Sequence, residues 1–438
     1  MGCPSQRLAT QEREVLFITM ALPPPADPRH RLLQQASITF REGRVEEAIA
    51  LAGRYLADAA DEDFAGHVAL GQMLLRARRL DELQDLLDLS DSFRDSAEGR
   101  ILLASLRNEQ GSSSEAESLL RCLLEETLER RLSRIVRFQL CHLLDRQGRH
   151  AEAWKQATEA HRSSTRHFPV DLLVASLRIT AEASLTELAK LPTADHRVTR
   201  LACVLGMPRS GTSLLEHMLD GHAGIRALHE LPFAGQMADT IAREGGGWPG
   251  GALAVSRRTL NQLQATYLQG TRERFQVPDD AWMLDKTVFP MMQPLFLATT
   301  LPGAKVLHIQ RSARDNAISL FLNNMDPSWG WTGTLESIHR VLEAERLYLP
   351  VILRKLQLDV LPIRYEELIR DSRGILEGAL TFLDLPFEEA CLHPENNQRL
   401  VHTLSEQQVH QPVRDASVGR WQRYAEHFDR RWDALDHD

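Results

Sequence analysis

The sequence predicts an α + α/β chain: an N-terminal array of helical hairpins, then a P-loop-type α/β domain with a central parallel sheet. Three observations predict it. Four related segments recur in the first 153 residues. An apolar run of strand length leads into a glycine-containing loop and an amphipathic helix over 199–222. Between these lies LTELAKLPTADHR (185–197), where a proline interrupts the helical pattern and marks a boundary near 190. The domain limits that follow are 28–190 and 195–438.

The recurring segments are ASITFREGRVEEA (36–48), GQMLLRARRLDEL (71–83), ASLRNEQGSSSEA (104–116) and CHLLDRQGRHAEA (141–153). Each opens on a small residue (Ala36, Gly71, Ala104, Cys141) and places a turn position seven residues later (Gly43, Arg78, Gly111, Gly148). Five further on stand Ala48, Leu83, Ala116 and Ala153, and the units are 35, 33 and 37 residues apart. Small side chains let two antiparallel helices approach, and a glycine ends the first helix by adopting the left-handed conformation. One hairpin cannot bury its apolar stripe, so neighbours stack. The pattern resembles tetratricopeptide repeats, with Arg78 where the turn glycine is usual. A plain helical bundle with coincident spacing is the other reading. The resemblance implies a surface for a peptide or protein partner.

Composition bounds the classes. At 438 residues the chain exceeds one ordinary core, and its 43% hydrophobic and 25% charged residues are globular values. A net charge of −9 argues against a general nucleic-acid binder. Five scattered cysteines, with no CxxC pair, fit neither a disulfide framework nor a zinc site, so no metal is expected. No stretch approaches the roughly 20 apolar residues that span a bilayer. The charged residues around the short apolar start make a poor signal peptide, and Gln6 departs from the myristoylation pattern. The expectation is a cytoplasmic protein with no membrane contact.

The chemistry is concentrated in the second domain. In TRLACVLGMPRSGTSLLEHMLDGH (199–222), residues 200–205 read as a strand, and Leu214, Leu215, Met218 and Leu219 fall at helical spacing. The loop between them carries Pro208, Arg209, Ser210, Gly211, Thr212 and Ser213. Such a loop points backbone N–H groups inward, and the helix N-terminus adds partial positive charge. A nucleotide-hydrolase loop would place lysine where Thr212 stands; here the cation is Arg209, inside the loop. That departure disfavours a β/γ-phosphate with magnesium.

The run PRSGTSLLEHML resembles the 5′-phosphosulfate loop of sulfotransferases that use 3′-phosphoadenosine-5′-phosphosulfate (PAPS), and the run through Glu230 looks like their tyrosylprotein branch. A second motif agrees. AKVLHIQRSARDNAISLF (304–321) has a buried-strand pattern over 305–310, ends in Arg311, and places Ser319 eight residues on. The resemblance implies that Arg311 and Ser319 hold the 3′-phosphate, a role suited to the bidentate arginine fork. Read alone, Arg311 is equally a surface arginine at a strand end. Asn323 stands where tyrosylprotein enzymes often carry another arginine.

Two further strands end in Lys286 and Tyr365. By resemblance, Lys286 reaches the transferring sulfuryl group and Tyr365 contacts the adenosine; a solvated lysine and a core tyrosine are the alternatives. Residues 365–387 read as an amphipathic helix and a turn. In HTLSEQQVHQPVRDASVGRW (402–421), Ser405 is the candidate beside the sulfuryl group, and Arg414, Ser417, Gly419, Arg420 and Trp421 resemble the end of a nucleotide cover. Gln411 replaces a lysine of the tyrosylprotein enzymes.

The implied activity is transfer of a sulfuryl group from PAPS to an acceptor hydroxyl on peptide tyrosine, a carbohydrate or a small phenol. Arg209 and Lys286 would stabilise charge on the departing oxygen. Glu230 in GIRALHEL (224–231) would be the general base, with His229 as its neighbouring rival. Two other classes compete: a P-loop nucleotide kinase, which needs magnesium ligands and a Walker lysine, and an inactive repeat scaffold, which predicts a disrupted donor site.

Overall fold

The computed structural model describes residues 30–41, 43–57, 63–163, 168–228, 240, 254–286, 293–396 and 417–436. They divide into two compact units: Ala21–Arg166 with Phe321–Pro327, and the remainder. That division falls before the proline-marked boundary near 190. Helix Val170–Glu182 belongs to the second unit, where Lys355 Nζ on helix Leu335–Lys355 donates to Ala181 O at 2.6 Å and Ala183 O at 2.9 Å. No helix of the described residues is long and apolar enough to cross a membrane.

The first unit is built of helical hairpins, paired as His30–Arg41 with Val45–Ala57, Ala65–Arg76 with Leu80–Leu89, Ala97–Glu109 with Ser113–Glu125, and Arg130–Arg146 with His150–Arg162. All four turn positions are left-handed: Gly43 (φ 79°), Arg78 (φ 56°), Gly111 (φ 86°) and Gly148 (φ 77°). Each turn closes the same way, with the N–H of the next residue bonded to the carbonyl five back: Arg44 to Thr39, Arg79 to Leu74, Ser112 to Arg107 and Arg149 to Leu144. This 6→1 bond satisfies a carbonyl that the helix end leaves without a partner. Arg78 therefore adopts the glycine conformation despite its side chain, which costs backbone strain. The small residues do as expected. Ala36, Ala104, Cys141, Ala48, Ala116 and Ala153 are buried, and a Cβ on Gly71 would lie 2.6 Å from Leu102 Cδ1.

Side chains of the last hairpin hold the Phe321–Pro327 segment. His142 Nε2 meets Leu322 O and His161 Nε2 meets Phe321 O, both at 2.8 Å, while Arg134 donates to Met325 O at 3.0 Å. Burial pushes the His161 imidazole down to about 4, the Phe321 carbonyl opposing this only in part. His161 is thus neutral in the folded state and donates one N–H. Its folded value lies below the ordinary 6.5, so its contribution is intact above pH 6.5 and is lost as pH falls towards 4, to a total of about 3 kcal/mol. Thermal melts between pH 7 and pH 4 should show a fall in Tm that is shallower in His161→Gln, whose amide donates at any pH.

The second unit contains a five-stranded, all-parallel sheet: β1 Leu201–Leu205, β2 Ile225–Ala227, β3 Trp282–Asp285, β4 Lys305–Gln310 and β5 Asp359–Arg364, in the order β2-β3-β1-β4-β5. Register runs Ala202 opposite Lys305 and Cys203 opposite Asp285. Every residue of β1 is buried, as expected of a central parallel strand with both faces covered. Alternate side chains serve opposite cores. Leu201, Cys203 and Leu205 join Met283, Val306, Leu260 and Leu349 on one face; Ala202 and Val204 join Leu307, Ile309, Leu215 and Leu368 on the other. Residues 365–387 form two helices rather than one, Tyr365–Arg370 and Ser372–Phe382, because Asp371 leaves helical geometry and caps the second through Gly374 N at 3.0 Å.

Candidate active site

Order β2-β3-β1-β4-β5 puts β1, the first strand, beside β4, so the connection from β1 runs towards β2 and that from β4 runs the opposite way, towards β5. Ligands of open α/β sheets bind at such a point. Four stretches proposed from sequence lie there: 206–213 after β1, Lys286 after β3, Arg311 after β4 and Tyr365 after β5.

The loop after β1 is cramped by its neighbours. A Cβ on Gly206 would stand 2.6 Å from Ile309 O, and one on Gly211 would stand 2.3 Å from Tyr365 Cδ2. Gly211 is also left-handed (φ 103°) immediately before helix Thr212–Leu219, whose N-terminus faces the loop. Arg209 takes a left-handed conformation too (φ 68°), turning its side chain towards helix Ala313–Phe321. Asn316 of that helix fixes the loop by donating to Pro208 O at 2.8 Å.

Arg209 and Arg311 meet. Arg311 donates to Arg209 O at 3.1 Å, Arg209 Nε donates to Ser319 Oγ at 3.1 Å, and Arg311 lies over the Tyr365 ring at 4.8 Å. Arg209, Arg311, Ser319 and Tyr365 thus form one cluster. Burial, reinforced by the positive charges of Arg311 and Arg420, pulls the Arg209 guanidinium down to about 10. It remains protonated at neutral pH, in surroundings that favour an anion. Among the described residues, the buried Ser210 Oγ and Arg311 Nε have no hydrogen-bond partner. Both belong to residues expected to hold phosphate. Crowded guanidiniums, unmatched polar atoms and a glycine loop at a helix N-terminus suit an anion such as phosphate.

The C-terminal segment is fastened to the same helix. Asp315 accepts from Gly419 N at 2.7 Å and Trp421 N at 2.8 Å, and Arg311 donates to Ser417 O. Arg314 pairs with Asp433 and Asp436 and lies over the Trp421 ring at 4.8 Å. Burial raises the Asp315 carboxyl, while these N–H donors and Arg311 oppose the shift. The anchorage places Arg420 beside the arginine cluster. Sequence reasoning missed Asp315, because its partners lie more than 100 residues away and an Asp in a helix's first turn reads as a capping residue.

Lys286 lies deeper, 1% exposed. Its Nζ donates to Ser213 Oγ at 3.1 Å and stands 3.8 Å from Glu216 Oε2. Glu216 was not singled out from sequence. Glu230 with its rival His229, and Ser405, Gln411 and Arg414, fall outside the described residues.

The fold and this cluster define a parallel α/β domain with a glycine loop and crowded guanidiniums at the carboxyl ends of its strands. Residues 202–389 match the family model described as the sulfotransferase family. The matched span, less than half of the chain, holds Pro208–Ser213, Lys286, Arg311, Ser319 and Tyr365. An uncharacterized protein of Aquifex aeolicus (strain VF5) is 27% identical over 243 residues, 53% of this chain and 32% of the relative. Protein-tyrosine sulfotransferase 1 of Danio rerio is 24% identical over 206 residues, 43% of this chain and 54% of that protein. The chain therefore spans about a third of the first relative and about half of the second. Among solved structures, the sulfotransferase domain of the curacin biosynthetic pathway aligns over 55% of this chain and 97% of its own, at 18% identity and TM-score 0.38. That of the Synechococcus PCC 7002 olefin synthase aligns over 52% and 90%, at 23% identity and TM-score 0.37.

Proposed function

We propose that the chain is a sulfotransferase that transfers the sulfuryl group of PAPS to an acceptor hydroxyl. The observation that carries this reading is the convergence of the glycine loop with Arg209, Arg311 and Ser319 at the carboxyl ends of adjacent strands β1 and β4. In its tyrosylprotein-like form the reading has a peptide tyrosine as first acceptor and a tetratricopeptide-like array over 28–190, ahead of the catalytic domain at 195–438, as the surface that recruits it. A cytoplasmic location fits the scattered cysteines.

PAPS supplies an activated sulfuryl group whose leaving partner is 3′,5′-adenosine bisphosphate. Arg311, Ser319 and Arg209 would hold the 3′-phosphate. The amides of 209–213 and the start of helix Thr212–Leu219 would face the 5′-phosphate, Tyr365 the adenosine, and Ser405 the sulfuryl end. Lys286 would meet the negative charge that grows on the oxygen bridging sulfur and phosphorus as that bond breaks. Glu230 would take the acceptor's proton as its oxygen bonds to sulfur. Fixed donors suit a transfer dominated by positioning and electrostatics.

Thermal shift with 3′,5′-adenosine bisphosphate, set against ATP with magnesium, tests the donor. At 100 times its dissociation constant the bisphosphate should stabilise the protein by about 2.7 kcal/mol. Labelled PAPS offered with tyrosine peptides, carbohydrates and phenols then tests the acceptor. A shift with ATP and none with the bisphosphate would transfer the chain to the kinase class.

A further inference from the structure

We propose that Glu216 is the positioning residue of Lys286: its carboxylate, one helical turn beyond Ser213, holds the buried ammonium at the mouth of the phosphate-binding loop. The inference rests on the donor-site reading above and deepens it.

Ser213 and Glu216 are three residues apart on helix Thr212–Leu219 and so share a face. Lys286 reaches that face from the end of β3, with Nζ 3.1 Å from Ser213 Oγ and 3.8 Å from Glu216 Oε2. The ammonium side chain is 1% exposed and the carboxylate 2%. Two charges this deep are costly unless they offset one another, so a surface-type ion pair is not the explanation. Asp285, the lysine's neighbour in the chain, faces the other side of the sheet, where it accepts from the Tyr267 hydroxyl in the opposite core. Glu216 is therefore the acidic group that helix Thr212–Leu219 brings to this ammonium. Its contact is compatible with loop binding, because Ser213 is both the end of the loop and the first turn of the helix that carries Glu216.

A residue acting through Lys286 changes turnover without loosening the nucleotide grip of Arg209 and Arg311. Glu216→Gln should lower kcat for transfer from PAPS by about 10- to 100-fold and leave the dissociation constant for 3′,5′-adenosine bisphosphate within about 3-fold. Glu216→Asp, which keeps the charge on a shorter arm, should recover part of the rate. The decisive measurement is the cycle with Lys286→Met. In that background Glu216→Gln should add less than about 3-fold. A full-size additional loss, a wild-type rate in Glu216→Gln, or bisphosphate affinity falling in parallel with kcat would overturn the assignment. Failure of the wild-type protein itself to bind the bisphosphate or use PAPS would instead strike the donor reading.

Discussion

Arg311→Ala should raise the dissociation constant for 3′,5′-adenosine bisphosphate by about 100-fold. The side chain has three roles at once: it donates to Arg209 O and to Ser417 O, and its plane lies over Tyr365. Hydrogen bonds to a charged group contribute about 1.5–3 kcal/mol each, and the arginine fork can offer a phosphate two of them. At the lower end of that range, losing the pair accounts for about two orders of magnitude in affinity. The loss should follow the 3′-phosphate. Calorimetry with adenosine 5′-monophosphate, which lacks it, should show a change of only a few fold, and Arg311→Lys should fall between, keeping charge without the fork. An equal loss for both nucleotides would mean that Arg311 supports the loop through Arg209 O rather than gripping the 3′-phosphate.

The parts of this site that sequence exposed are those whose chemistry and location coincide in one short stretch. The run Leu201–Ser213 carries its strand, turn and helix start within 13 residues, and Arg311 ends a strand whose burial pattern is plain from 305–310. The left-handed turns were legible at Gly43, Gly111 and Gly148; Arg78 was placed there by spacing alone, against its own preference. What stayed hidden depends on pairs far apart in sequence. Glu216 looks like a solvent-facing residue of an amphipathic helix until β3 brings Lys286 to it from 70 positions away. Asp315 gains its role only when Gly419 and Trp421 return to it. Helix Val170–Glu182 has an apolar stripe that suits the hairpin array equally well. Its neighbour, helix Leu335–Lys355, starts more than 150 residues later, and no local pattern announces that pairing.

The sequence assigns Arg209 and Lys286 together to the departing oxygen, and in the structure the two cations have different partners. Arg209 is turned to Ser319, beside Arg311, whereas Lys286 sits with Ser213 at the start of the loop helix. We therefore propose Lys286, rather than Arg209, as the cation for the bond that breaks. Lys286→Met should therefore cut kcat by about 10²- to 10³-fold, the size found when one preorganised donor to a developing charge is removed. The bisphosphate product carries that charge in full, but it is also held by Arg209, Arg311 and the loop amides, so its dissociation constant should move by less than about 10-fold. Single-turnover measurement of transfer from PAPS, with calorimetric titration of the bisphosphate alongside, separates the two quantities. Because the methionine leaves Glu216 buried beside an apolar side chain, Lys286→Arg is the companion variant: it keeps the charge balanced and should retain more activity than the methionine. A kcat unchanged in Lys286→Met would place the charge stabilisation on Arg209 and make Lys286 a purely structural partner of Glu216.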